Sequence, residues 1–90
     1  MTHVKCIVLD VLKPHHPNVL DFAKTIAERG KGYTVRLKVL EMDDKTETLE
    51  LIIEADDIDL EIVTATIAEM GGSLHSIDGV EVVGDAPSTD

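Results

Sequence analysis

From Tyr33 to Ala55, apolar and polar residues alternate in two runs, separated by the acidic stretch EMDDKTE, Glu41 to Glu47. No other feature restricts the fold as strongly. A side-chain period of two puts Tyr33, Val35, Leu37 and Val39 on one face of a strand, with Thr34, Arg36 and Lys38 on the other. The second run, Glu47 to Ala55, sets Leu49, Leu51, Ile53 and Ala55 against Glu50 and Glu54. Two such runs joined by a short polar segment read as a β-hairpin with one buried face. Pairing Val39 with Leu49 and Leu37 with Leu51 keeps the apolar faces together, and a slip of one residue would scramble them. The same register predicts Lys38 opposite Glu50 and Glu41 opposite Glu47, the latter a destabilising like-charge pair.

The flanking segments complete the plan. Val4 to Leu12 is aliphatic and β-branched and reads as a central strand. After a turn at His15, His16 and Pro17, a helix is expected over Asn18 to Arg29, with Pro17 at its first turn. Its apolar side is either Leu20, Ala23, Ile26 and Ala27, or Val19, Phe22 and Ile26, and Gly30 and Gly32 end it. Asp56, Asp57 and Asp59 are N-cap candidates for a second helix to Met70, with Leu60, Val63, Ile67 and Met70 as its core stripe. Gly71 and Gly72 stop that helix. Leu74 to Val83 is the last strand, bulged or bent at Asp78-Gly79. The order β-α-β-β-α-β predicts an α+β, ferredoxin-like fold: a four-stranded antiparallel sheet, order 4-1-3-2, with two helices on one face. One domain is expected over residues 1–84, with a flexible tail at 85–90.

Composition narrows function by exclusion. The 18 acidic and 8 basic residues leave a net charge of −10, which repels phosphate backbones. Phe22 and Tyr33 are the only aromatics, too few for a base-stacking platform, so nucleic acid is not an expected partner. So acidic a surface suits a salt-rich cytoplasm, where ions screen self-repulsion. Cys6 is the sole cysteine, which rules out an internal disulfide, a cysteine-based zinc site and an iron–sulfur cluster. The N-terminal MTHVKCIVLDVLK has no cleavage-site pattern, and no apolar run approaches the roughly 18 residues of a membrane span, so a cytoplasmic location is expected.

The topology gathers chemistry at one end of the sheet. The end of strand one, the hairpin tip and the start of strand four would share a rim holding His15, His16, Glu41, Asp43, Asp44, Glu47 and His75. Glu41, Asp43, Asp44 and Glu47 are candidate oxygen ligands of a divalent cation, Ca²⁺ or Mg²⁺, with His15 and His75 as further ligands or their supports. Histidine participation would shift preference to Zn, Ni or Mn. The plainer alternative is a solvated tip and loop histidines that cap and solvate a helix. No P-loop, GxGxxG or EF-hand loop is present, and His75, Ser76 and Asp78 match a triad by composition alone. The sheet face away from the helices would carry Cys6, Val8, Asp10, Leu12, Leu40 and Ile52 among charges, a surface that self-association would cover.

The motifs LDVLKPHHP, EMDDKTE and GGSLHSIDGVEVVG, in this order and spacing, resemble an archaeal family known as domain of unknown function 211. The resemblance runs from about Val4 to Gly84. It implies a ferredoxin-like fold and ring-shaped homo-oligomers, with no established activity. The matching positions are Asp10, Lys13, Pro14 and His15, then Glu41, Asp43, Thr46 and Glu47, then Gly71, Gly72, His75, Ser76, Ile77 and Asp78. Tyr33 departs from the small aliphatic residue more usual there. Taken together, the sequence points to a non-enzymatic homo-oligomer that binds a cation or small ligand at the hairpin rim. A purely structural oligomer and a small hydrolase or transferase are the alternatives.

Overall fold

The structure, a computed structural model, describes residues 1–85. Its elements are β1 (Thr2–Pro14), α1 (Val19–Glu28), β2 (Thr34–Met42), β3 (Thr46–Glu54), α2 (Leu60–Glu69) and β4 (Ser73–Gly84). The described strands form one antiparallel sheet in the order β2-β3-β1-β4, the ferredoxin-like plan expected from the hydrophobic periods. Strand β1 is central because its alternate residues Ile7, Leu9 and Val11 are aliphatic and buried. They meet Leu49, Leu51 and Ile53 of β3 and the helix residues Phe22, Ile26, Val63 and Ile67 in a single core.

Helix ends follow local chemistry. Asn18 lies outside α1 as its N-cap, its side chain accepting from the Asp21 N–H at 2.8 Å, so Pro17 precedes the helix and is not in its first turn. Phe22 and Ile26 are buried and Val19 packs beside them, whereas Leu20 is 61% exposed; the Val19–Phe22–Ile26 stripe is the inward one. Asp59 caps α2 by accepting from the Glu61 and Ile62 N–H groups. After α2 the chain reverses through Gly71 at φ +81°, a left-handed conformation that a Cβ would strain.

Three departures from regular pairing matter for the site. Asp78 is the extra residue of a bulge opposite Val8 and Leu9, where the Asp-Gly pair predicts one. A second shift makes His75 extra opposite Asp10 and Val11. The third, between Val39 and Glu41, makes Leu40 extra on β2. At the far end, the Asp85 N–H donates to the Met1 carbonyl at 3.0 Å, and the Asp85 carboxylate lies 2.7 Å from His3 Nε2. The first residue assigned to the flexible tail is therefore tied down, and the rest of that segment lies outside the described residues. Among the described residues no helix is long and apolar enough to cross a membrane.

Candidate functional site

Strand β1 carries its alternation one step further than the aliphatics: after Ile7, Leu9 and Val11, the next inward position is Lys13. Strand β3 does the same, since Glu47 precedes Leu49, Leu51 and Ile53 on the buried face. The two charged residues are direct cross-strand partners. Lys13 Nζ stands 2.9 Å from Glu47 Oε1, with side chains 0% and 8% exposed. The ammonium directs hydrogen bonds to the Pro14 and Pro17 carbonyls, each at 2.7 Å, so Glu47 Oε1 meets it as a charge without an aligned hydrogen bond. The Phe22 ring centroid lies 5.9 Å from the same nitrogen, a cation–π distance. A buried cation surrounded by carbonyls, a carboxylate and a ring is satisfied where an isolated one would not be tolerated.

His15 completes the arrangement. Its Nδ1 lies 2.9 Å from Glu47 Oε2, and its Nε2 lies 2.9 Å from the Asp43 carbonyl and 3.0 Å from that of Asp44. The imidazole thus joins the loop after β1 to both β3 and the hairpin tip. Glu47 raises the His15 pKa above its ordinary value, opposed by burial and helped by the two carbonyls. In return His15 first, then Lys13, hold the Glu47 carboxyl below the usual carboxylate range. The tip is closed by its own Asp43 N–H, which donates to the Thr46 carbonyl at 2.8 Å.

This geometry corrects the expected Glu41–Glu47 pair. The extra Leu40 makes Glu41 the partner of Thr48, and Glu47 that of Met42. Thr48 alternates with the buried Glu47 and Leu49, so Glu41 and Glu47 fall on opposite faces of the sheet and their repulsion is relieved without a bound ion. Of the predicted ligands, the structure joins His15 and Glu47 directly and brings in Asp43 and Asp44 by their backbone carbonyls. It leaves the Glu41, Asp43 and Asp44 residues exposed. His75 goes elsewhere: its bulge turns Nδ1 to within 3.2 Å of Asp10 Oδ2. Among the described residues, no three histidine, cysteine, aspartate or glutamate side chains are arranged to hold a metal ion.

Asp10 and His75 occupy the open sheet face, beside a hollow of about 310 Å³ that Val11, Leu12 and Thr48 also line. Asp10 Oδ1 is buried there with no hydrogen-bond partner among the described residues. Ser76 donates instead to Asp78 Oδ1 at 2.7 Å, so serine and histidine address different carboxylates and the compositional triad is not assembled. Lys13 stands outside the set of rim residues that the topology gathers, yet it anchors the site. Its signal was present, since period two puts it in line with Leu9 and Val11.

Comparison with known sequences places this arrangement in a family. Residues 5–86 match domain of unknown function 211, described as an uncharacterized ArCR family. The chain belongs to that family. The chain is also similar to an uncharacterized protein of the archaeon Methanocaldococcus jannaschii, 36% identical over 80 residues, covering 89% of this chain and 82% of the relative. Nine of the fourteen positions that carry the resemblance fall into two groups in space. Lys13, Pro14, His15, Thr46 and Glu47 meet around the Lys13–Glu47 ion pair, whereas Asp10, His75, Ser76 and Asp78 gather where β1 pairs with β4.

Proposed function

We propose that this member of the family is a non-enzymatic module that works as a homo-oligomer, assembled through strand β4. The observation that carries this reading is the apolar row on that edge strand: Ile77, Val80, Val82 and Val83 are 49%, 65%, 50% and 45% exposed. Ile77, Val80 and Val82 pair with Leu9, Ile7 and Val4, which belong to or pack against the core, so they lie on the helix side yet uncovered. Soluble proteins blunt edge strands with lysine, proline or cover. From Gly79 to Gly84 the only charge is Glu81. A second copy offers the same strand, and pairing would satisfy the edge and bury the valines, a gain that a small core benefits from.

The net charge of −10 opposes assembly, so salt should favour it. The hairpin rim supports a structural role in this reading, because Lys13 and His15 already neutralise Glu47. Sedimentation velocity at low and high salt tests the proposal. The wild-type chain should sediment as an oligomer in high salt, and Val80→Lys with Val82→Lys as a folded monomer. A wild-type monomer at micromolar concentration in high salt would remove it.

A further inference from the structure

Both ring nitrogens of His15 face groups that accept hydrogen bonds. The Asp43 and Asp44 carbonyls, at 2.9 and 3.0 Å, cannot donate, so Nε2 must carry a proton to bond them. Nδ1 faces Glu47 Oε2 at 2.9 Å, and Glu47 is kept ionised by the buried Lys13 ammonium beside its other oxygen. A charged carboxylate also only accepts, so Nδ1 must carry a proton too. The only form that satisfies every partner is the doubly protonated imidazolium. A neutral ring, in either tautomer, turns a lone pair toward the carboxylate or toward the carbonyls, and one of the two attachments is lost.

We propose that His15 is a pH-operated latch on the hairpin tip, closed when the ring is protonated and released when it is neutral. The charged groups facing it favour the closed form from two sides: Glu47 on β3 directly, and the turn at Asp43 and Asp44 through its carbonyls. Lys13 on β1 acts in the opposite sense, but its charge is already matched by the Glu47 oxygen it contacts. Release is local. Lys13 still holds Glu47, and the Asp43 N–H bond to Thr46 still closes the turn. The single proton of the neutral ring stays on Nδ1, where the Glu47 carboxylate is the stronger acceptor, so the bonds lost are those to the Asp43 and Asp44 carbonyls, and the tip detaches from the β1 end as a unit while the sheet stays paired. The latch is shut at and below the ordinary histidine pKa of 6.5 and opens as pH rises through the elevated value of His15.

The test is an NMR titration of the full chain, following the His15 ring nitrogens and the amides of Asp43, Asp44 and Lys45. Both nitrogens should be protonated in the closed state, and the tip amides should shift with the His15 midpoint. Their exchange should accelerate beyond its intrinsic pH dependence, by about tenfold for one unit of pKa coupling. In His15→Gln, whose amide cannot donate in both directions at once, the inflection should vanish while the other signals keep their positions. Tip amides that show no inflection at the His15 midpoint would overturn the latch, as would an unchanged inflection in His15→Gln. Should that variant fail to fold, the wild-type titration decides by itself.

Discussion

Lys13 and Glu47 form an ion pair inside the hydrophobic layer, Nζ 2.9 Å from Oε1, directly across the β1–β3 ladder. Removing Lys13 leaves the nearly buried Glu47 carboxylate with His15 as its remaining charged partner and takes the donor away from the Pro14 and Pro17 carbonyls. Lys13→Met should therefore cost about 3–5 kcal/mol, whereas Lys13→Met combined with Glu47→Leu should recover much of that loss. Denaturant titration of both variants checks this. A Lys13→Met variant as stable as the wild type would show that the pair contributes nothing.

Acid should act on the same pair. Glu47 has its pKa lowered in the folded chain, chiefly by His15 and then by Lys13. A depressed carboxylate stabilises fully above its ordinary value of 4.5, and that contribution fades as pH falls through the lower folded value. Wild-type stability should thus decline in the range below pH 4.5 more steeply than that of Glu47→Gln, which has no such proton to take up. Parallel pH profiles for the two would contradict the assignment.

Tyr33 lies against Gly30 so closely that a Cβ at position 30 would collide with the ring. Gly30→Ala should destabilise by about 1–3 kcal/mol through forced repacking, and Tyr33→Leu should relieve part of it in the double variant. The Tyr33 hydroxyl also accepts from the Asp59 N–H at 2.9 Å, so it braces the start of α2. Tyr33→Phe should lose about 0.5–1.5 kcal/mol, measured by thermal or chemical melting.

Divalent cations give a direct test of the rim. With Glu47 committed to Lys13 and His15, saturating Ca²⁺, Mg²⁺ or Zn²⁺ should leave the melting temperature within error of the metal-free protein. A rise that disappears in Glu41→Gln with Asp43→Asn would instead restore a cation site there.

Much of this architecture was readable from residue order. The two alternating runs predicted the hairpin and its central register, with Val39 beside Leu49 and Leu37 beside Leu51. Asp78-Gly79 announced a bulge, the second helix's stripe named Val63 and Ile67, and one of the two stripes open for the first helix named Phe22 and Ile26. The rim was legible only as a neighbourhood. Topology alone puts His15 near the hairpin, but an unbroken ladder sets Glu41 across from Glu47. Leu40 breaks it, and no local property of that leucine distinguishes it from its neighbours.

What the sequence determined by itself is whatever depends on period: which residues face inward, and hence which segments are strands or helices. Lys13 and Glu47 belong here, since two-residue spacing alone puts both on the buried face. What the tertiary structure decided is the pairing of charges: Lys13 with Glu47, His15 with the same carboxylate and the turn carbonyls, His75 with Asp10. Those partners come from strands and loops distant in sequence; the bulge at His75 turns its ring to Asp10, and the bulge at Leu40 separates Glu41 from Glu47. A bulge shifts every later partner by one position, and its location is settled by packing across the whole sheet, not by the residue that forms it.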